Sequence, residues 1–148
     1  GNVRRSPMAA ALFNARARRA GEDGAFVAQS AGTWALENQP ASGHAITVMA
    51  EHGIDLSAHR ARTVVHQDMA EAAVVIAMTR SHCEALKAEF PEQCKKLHLM
   101  SELQNRIFDM GDPYGGTLSE YESCARALED LIESGYEKIK QWTSSDNV

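Results

Sequence analysis

The opening residues, Gly1-Asn2-Val3-Arg4-Arg5-Ser6-Pro7, carry the densest chemistry in the chain. Glycine and asparagine tolerate positive φ angles, which lets successive backbone amides point inward as a nest of N–H donors. Ser6 followed by Pro7 reads as a helix start, with a hydroxyl for the free amides and a ring suited to the first helical position. The amino-terminal end of that helix favours a bound anion. An arginine at the turn adds a planar fork that can hold two phosphate oxygens at once. Chemistry alone therefore leaves two readings. Gly1, Asn2, Val3, Arg4, Arg5 and Ser6 form an oxyanion cradle, or they form an exposed terminus that only caps a helix.

Far downstream, Asp112-Pro113-Tyr114-Gly115-Gly116 reads by itself as a turn, because proline presets φ and the glycines permit a tight reversal. The three cysteines, Cys83, Cys94 and Cys124, show no CxxC spacing. An odd, unclustered set reads as reduced thiols of a cytoplasmic protein and not as a disulfide or zinc framework. His44, His52, His66, His82 and His98 show no metal-ligand clustering and read as surface or core residues.

The elements that must position these residues alternate in type. Met8, Ala9, Leu12, Phe13 and Ala17 recur at helical spacing up to Gly21. The stretch 25–29 is short and apolar enough for a strand. Residues 40–52 read as a helix with Ala45, Ile46, Met49 and Ala50 on one face. The β-branched run 73–78 suits a strand buried on both faces. A helix over 79–90, a strand over 96–100 and a long closing helix over 118–142 complete the order. Strands alternating with helices argue for an α/β fold with a parallel sheet. A helix opening at residue 6 normally follows a strand, and no strand precedes it here.

Length and composition agree with one domain over residues 1–148: 44% hydrophobic and 24% charged residues form an ordinary globular balance. A net charge of −5 disfavours a nucleic-acid partner, and no apolar stretch approaches a membrane span.

The opening segment, extended through Met8 and Ala9, resembles the phosphate loop of the low-molecular-weight protein-tyrosine-phosphatase family, in bacterial form. That loop runs cysteine, five residues, arginine, serine, proline. The match puts Arg5 at the phosphate-binding arginine and Ser6 at a hydroxyl that stabilises the thiolate. Counting back six from Arg5 puts the nucleophilic cysteine two places before Gly1. Asp112-Pro113-Tyr114-Gly115-Gly116 is similar to the family's acid loop, in the family order. The stretches 30–33 and 53–62 are similar to the segments that hold the loop asparagine, which pairs Asn2 with His59 and with Ser30. Trp34 falls at an aromatic wall of the site mouth, with Tyr114 opposite; a tryptophan partly buried under a loop is the plainer account of Trp34.

The resemblance implies a three-layer α/β/α fold with a four-stranded, doubly wound parallel sheet, its first strand missing from the sequence as given. It implies a protein-tyrosine phosphatase, a phosphoric monoester hydrolase working through phosphocysteine in the complete protein, with Arg5 and Asp112 catalytic and no metal or cofactor needed. Its partners are phosphorylated proteins or peptides and inorganic phosphate or another oxyanion, with no nucleic acid or membrane. The sequence as given is expected to lack turnover and to be less stable than the complete domain. Alternatives are a protein arginine phosphatase, an arsenate reductase using Cys83 and Cys94, and a catalytically dead phosphate-binding module. Arg4 stands where many members carry a second cysteine, and either adds charge to the phosphate site or faces solvent. Val3 is similar to tyrosine-directed members, whereas Met78-Thr79-Arg80-Ser81-His82 and the Gly115-Gly116 pair look more like relatives that include arginine phosphatases.

Overall fold

The structure, a computed structural model, describes residues 1–145, so the expected domain over 1–148 extends three positions outside the described residues. The elements are α1 (Arg5–Arg19), α2 (Gly43–Glu51), α3 (His66–Glu71), β1 (Val75–Ala77), α4 (Arg80–Glu89), β2 (Leu97–Leu99) and α5 (Leu118–Ser145), with 3₁₀ turns at Pro91–Lys96 and Met100–Gln104.

Helix α1 opens at Arg5, with Arg4 as its N-cap and no side chain capping it. The expected capping role of Ser6 is thereby corrected. Ser6 lies inside the first turn, and its hydroxyl accepts a hydrogen bond from Asn2 Nδ2 at 2.9 Å. The apolar set Met8, Ala9, Leu12, Phe13 and Ala17 is buried as the spacing requires. In α2 the start moves to Ser42, whose hydroxyl accepts from the Ala45 amide at 3.4 Å. Pro40 instead bridges to Arg60. The buried face of α2 is Ala45, Val48 and Met49, and Ala50 is exposed.

Strands β1 and β2 pair in parallel, Val75 opposite Leu97 and Ala77 opposite Leu99, through the crossover helix α4. Thr79 caps α4 by accepting the His82 amide at 3.1 Å. Among the described residues the named strands number two, a parallel pair on an α/β fold, so of the three strands read from the sequence the one over 25–29 is corrected. The stretch 25–29 forms no named strand and begins in a turn, where the Ala25 and Phe26 amides donate to the Glu22 carbonyl at 2.9 and 3.0 Å. Its Ala28 is held instead by Asn14 of α1, which accepts from the Ala28 amide at 2.8 Å and donates to the Ala28 carbonyl at 3.0 Å. A cavity of about 600 Å³ lies between that stretch and β1, lined by residues 25–33 on one side and 71–78 on the other. This gap also explains why Val74, Val75 and Ile76 are only half-buried, where the sequence suggested burial on both faces.

The main core lies where α1, α2 and α5 pack together, and Leu128, Ile132 and Tyr136 of α5 are buried there. Tyr136 meets Phe13 with ring centroids 5.6 Å apart and donates its hydroxyl to Glu22 at 2.7 Å. A smaller cluster under the sheet holds Met69, Leu86, Phe90, Leu97 and Leu99 together with Cys83. Among the described residues no helix is long and apolar enough to cross a membrane.

Candidate active site

The functional geometry begins at Asn2, which is 6% exposed and stands in the left-handed region at φ 62°. Four partners hold it there. Its Nδ2 donates to Ser6 Oγ at 2.9 Å and to Ser30 Oγ at 3.0 Å, and its Oδ1 accepts the Arg62 amide at 3.1 Å. His59 Nε2–H donates to the Asn2 carbonyl at 2.7 Å. The Val3 carbonyl accepts the Ser42 amide at 2.9 Å, which fixes the loop to the start of α2. Gly32 must be small here: a Cβ on it would lie 3.2 Å from the Trp34 carbonyl and 3.4 Å from Asn2.

So constrained, the loop leaves its amides free. Among the described residues the N–H groups of Val3, Arg4, Arg5 and Ser6 donate to no protein acceptor. The first turn of a helix leaves such donors unpaired by construction, and they sit at the positive end of the helix dipole. Arg5, the first residue of α1, reaches from this nest to the 109–116 loop. Its Nη1 donates to the Met110 carbonyl at 2.6 Å, and its Nη2 lies 3.7 Å from Asp112 Oδ2.

That loop is fixed to the sheet because Met110 donates its amide to the Met78 carbonyl at 3.0 Å, just past β1. Asp109 accepts the Arg80 amide at 2.8 Å at the start of α4. The turn closes with Gly116 donating to the Pro113 carbonyl at 2.7 Å, and a Cβ on Gly116 would approach that carbonyl to 2.8 Å. Asp112 receives Arg4 Nε at 2.8 Å and Arg4 Nη2 at 3.2 Å. Burial pushes the Asp112 carboxyl up, but the Arg4 hydrogen bonds, the Arg5 and Arg4 charges and the Tyr114 amide outweigh it and hold it below the usual range. His82 is pushed down by burial and by Arg5. Burial pushes the Cys124 thiol up against the opposing charge of Arg5, and Asp112 adds to the rise, so it is a poor nucleophile.

The structure thus brings Asn2, Val3, Arg4, Arg5, Ser6, Ser30, His59 and Asp112 into one constellation, with Gly1 exposed at its edge. Arg4 points at Asp112, so its solvent-facing reading is corrected. Tyr114 is 76% exposed and stacks on Arg4, 4.8 Å from ring centroid to Cζ. Trp34 is 69% exposed, which corrects the partly buried account of it. The sequence reading missed Arg62, Ser42 and Met110 as holders of the loop. All three act through backbone atoms, which leave no signature in side-chain identity. Among the described residues no group of three His, Cys, Asp or Glu side chains could hold a metal ion.

Free amides at a helix start, two arginines and a facing carboxylate on an α/β scaffold make an oxyanion-site arrangement. The sequence model of the family "Low molecular weight phosphotyrosine protein phosphatase" matches residues 1–144, and the chain belongs to that family of hydrolases. It is 35% identical over 141 residues to a protein-arginine-phosphatase of Geobacillus stearothermophilus, covering 95% of this chain and 91% of that protein. The solved low molecular weight protein tyrosine phosphatase of T. tengcongensis is 40% identical, with a TM-score of 0.89 over 93% of each chain. A solved YwlE arginine phosphatase variant with a phosphorylated active site serine is 32% identical, with a TM-score of 0.89 over 95% of this chain and 91% of that one.

Proposed function

We propose that this protein, as one domain working in the cytoplasm, hydrolyses phosphotyrosine in protein or peptide substrates through a phosphocysteine intermediate. Inorganic phosphate is the second product and a ligand of the free site. The thiolate of the loop cysteine, counted two places ahead of Gly1, attacks phosphorus, and the bond from phosphorus to the phenolic oxygen breaks. Arg5 and the amides of Gly1 to Ser6 hold the equatorial oxygens as charge shifts onto them. Asp112 gives its proton to the departing phenolate, then takes one from the water that attacks the phosphocysteine, which releases phosphate and restores the thiolate. The Ser6 hydroxyl, already an acceptor for Asn2, has its own hydrogen free to donate to that thiolate. Asn2, Ser30 and His59 keep the nest open. Trp34 and Tyr114 flank the substrate ring as apolar walls.

The observation that carries this reading is the approach of Asp112 to within 3.7 Å of Arg5 beside unpaired loop amides, in a member of this family. A second reading, hydrolysis of phosphoarginine, draws support from the 35% identical relative of that name. The aliphatic Val3 and the two exposed aromatic rings favour tyrosine. The test is kcat/KM on matched phosphotyrosine and phosphoarginine peptides, measured on the enzyme with its loop cysteine in place. Preference for phosphotyrosine supports the proposal, and preference for phosphoarginine replaces it with the second reading. Phosphate binding without turnover on either peptide leaves only a binding module.

A further inference from the structure

The Arg4 guanidinium is committed on two sides. Its Nε and Nη2 fork onto Asp112 Oδ1 and Oδ2 at 2.8 and 3.2 Å, and its face lies against Tyr114. Asp112 Oδ1 also accepts the Tyr114 amide at 3.2 Å, and Oδ2 lies 3.7 Å from Arg5. Both carboxylate oxygens therefore face N–H donors. One residue of the amino-terminal loop grips the carboxylate and the aromatic ring of the 109–116 loop together. We propose that Arg4 is a positioning residue that latches the Asp112–Tyr114 turn against the amino-terminal loop and lets it go when an oxyanion binds there.

The inference rests on the proposed reading of that loop as a phosphate site. Its physical basis is competition for charge. Two arginines and one carboxylate share the mouth, so Asp112 is the internal anion that neutralises them. A phosphate dianion brings more negative charge and a matching fork geometry, and draws the arginines away from the carboxylate. The exchange also sets the proton. An oxygen that receives an N–H donor is a poor place for an acidic hydrogen, so Asp112 can serve as a proton donor only after the fork has opened. Occupancy of the loop thereby arms the acid. The other groups facing Asp112 are the Gly1 amino group, Arg5 from α1, His82 from α4 and Cys124 from α5. None of these makes a forked contact with it. Lysine at position 4 would keep the charge and lose the fork.

The test uses isotope-labelled protein with inorganic phosphate as the probe, comparing wild type, Arg4→Gln and Arg4→Lys. The readouts are exchange of the Tyr114 and Gly116 amides and the titration of the Asp112 carboxyl carbon. In wild type, saturating phosphate should speed exchange of both amides about two- to fivefold, the scale of one partly exposed ion pair. In Arg4→Gln and Arg4→Lys the same amides should already exchange fast, phosphate should add little, and the Asp112 midpoint should rise towards the ordinary carboxylate value. Unchanged exchange and an unchanged midpoint in both variants, with phosphate still shifting the amides of residues 3–6, would overturn the latch and leave the phosphate site standing. Absence of any phosphate effect on those amides in wild type would overturn the site itself, and the latch with it.

Discussion

Replacing Asn2 by alanine removes three side-chain hydrogen bonds at one buried position: to Ser6, to Ser30 and from the Arg62 amide. At about 0.5–1.5 kcal/mol net for each, the bonds together contribute about 1.5–4.5 kcal/mol. Alanine must also hold φ near 62°, where a Cβ costs about 1 kcal/mol or more relative to glycine. The expected loss is therefore about 3–5 kcal/mol, a large part of the roughly 5–15 kcal/mol that holds a domain folded. Asn2→Gly separates the two causes, since it relieves the strain and keeps the loss of the bonds. It should be less costly than alanine by about 0.5–1 kcal/mol, after allowing for the flexibility glycine gives the unfolded chain. Urea unfolding of the three proteins, with unchanged m-values, measures both differences. Phosphate affinity should fall about tenfold or more in Asn2→Ala, because 1.4 kcal/mol of lost loop order is a factor of ten. A cost below about 1 kcal/mol for Asn2→Ala would refute the reasoning. So would an alanine variant more stable than the glycine one.

Asp112→Asn keeps the shape and removes the titrating group. With the loop cysteine in place, turnover of a phosphotyrosine peptide should fall about 10²–10⁴-fold, while inorganic phosphate binds at least as tightly because the internal anion is gone. Leu128→Ala, in the fully buried seam of α5, should cost about 3–5 kcal/mol, whereas Ile76→Ala, on the half-buried edge beside the cavity, should cost less than about 2; paired urea curves compare them. The pH dependence has a definite sign. In Asp68, as in Asp112, burial raises the carboxyl, but the Arg62 hydrogen bond and the Val65 amide lower it further, so the folded value lies below the ordinary 3.8. The stability these two carboxylates give is present above 3.8 and lost as pH falls through their folded values. Urea midpoints should thus be level through the mildly acidic range and drop below about pH 4, and Arg62→Gln should shrink that drop.

Much of the site was legible because chain neighbours build it. Asn2, Arg5 and Ser6 fall within one turn, and the Asp-Pro-Tyr-Gly-Gly run announces a turn wherever it is placed. The apolar periodicity of α1 was equally plain, since that helix buries one continuous face. Legibility failed where a tertiary partner decides the outcome. The 25–29 stretch has the composition of a strand, yet a strand needs a neighbour, and Asn14 supplies the partner for Ala28 instead. Residues 73–78 read as buried on both faces because composition records what a segment can bury, and the cavity beside β1 leaves part of that capacity unused. Ser6 looked like a cap and serves Asn2, because a hydroxyl in the first turn can turn back to either partner. Arg4 gave no hint of direction, since its partner Asp112 stands 108 positions away.

The central claim is that the loop at the start of α1 binds an oxyanion through its free amides and Arg5. The most direct measurement is a titration of the labelled protein with inorganic phosphate, following the amide resonances of residues 3–6 in wild type and in Arg5→Ala. An oxyanion site at this loop gives saturable shifts concentrated on Val3, Arg4, Arg5 and Ser6 that disappear, or need far more phosphate, in Arg5→Ala. Shifts scattered over the surface, or the same titration in both proteins, would contradict it.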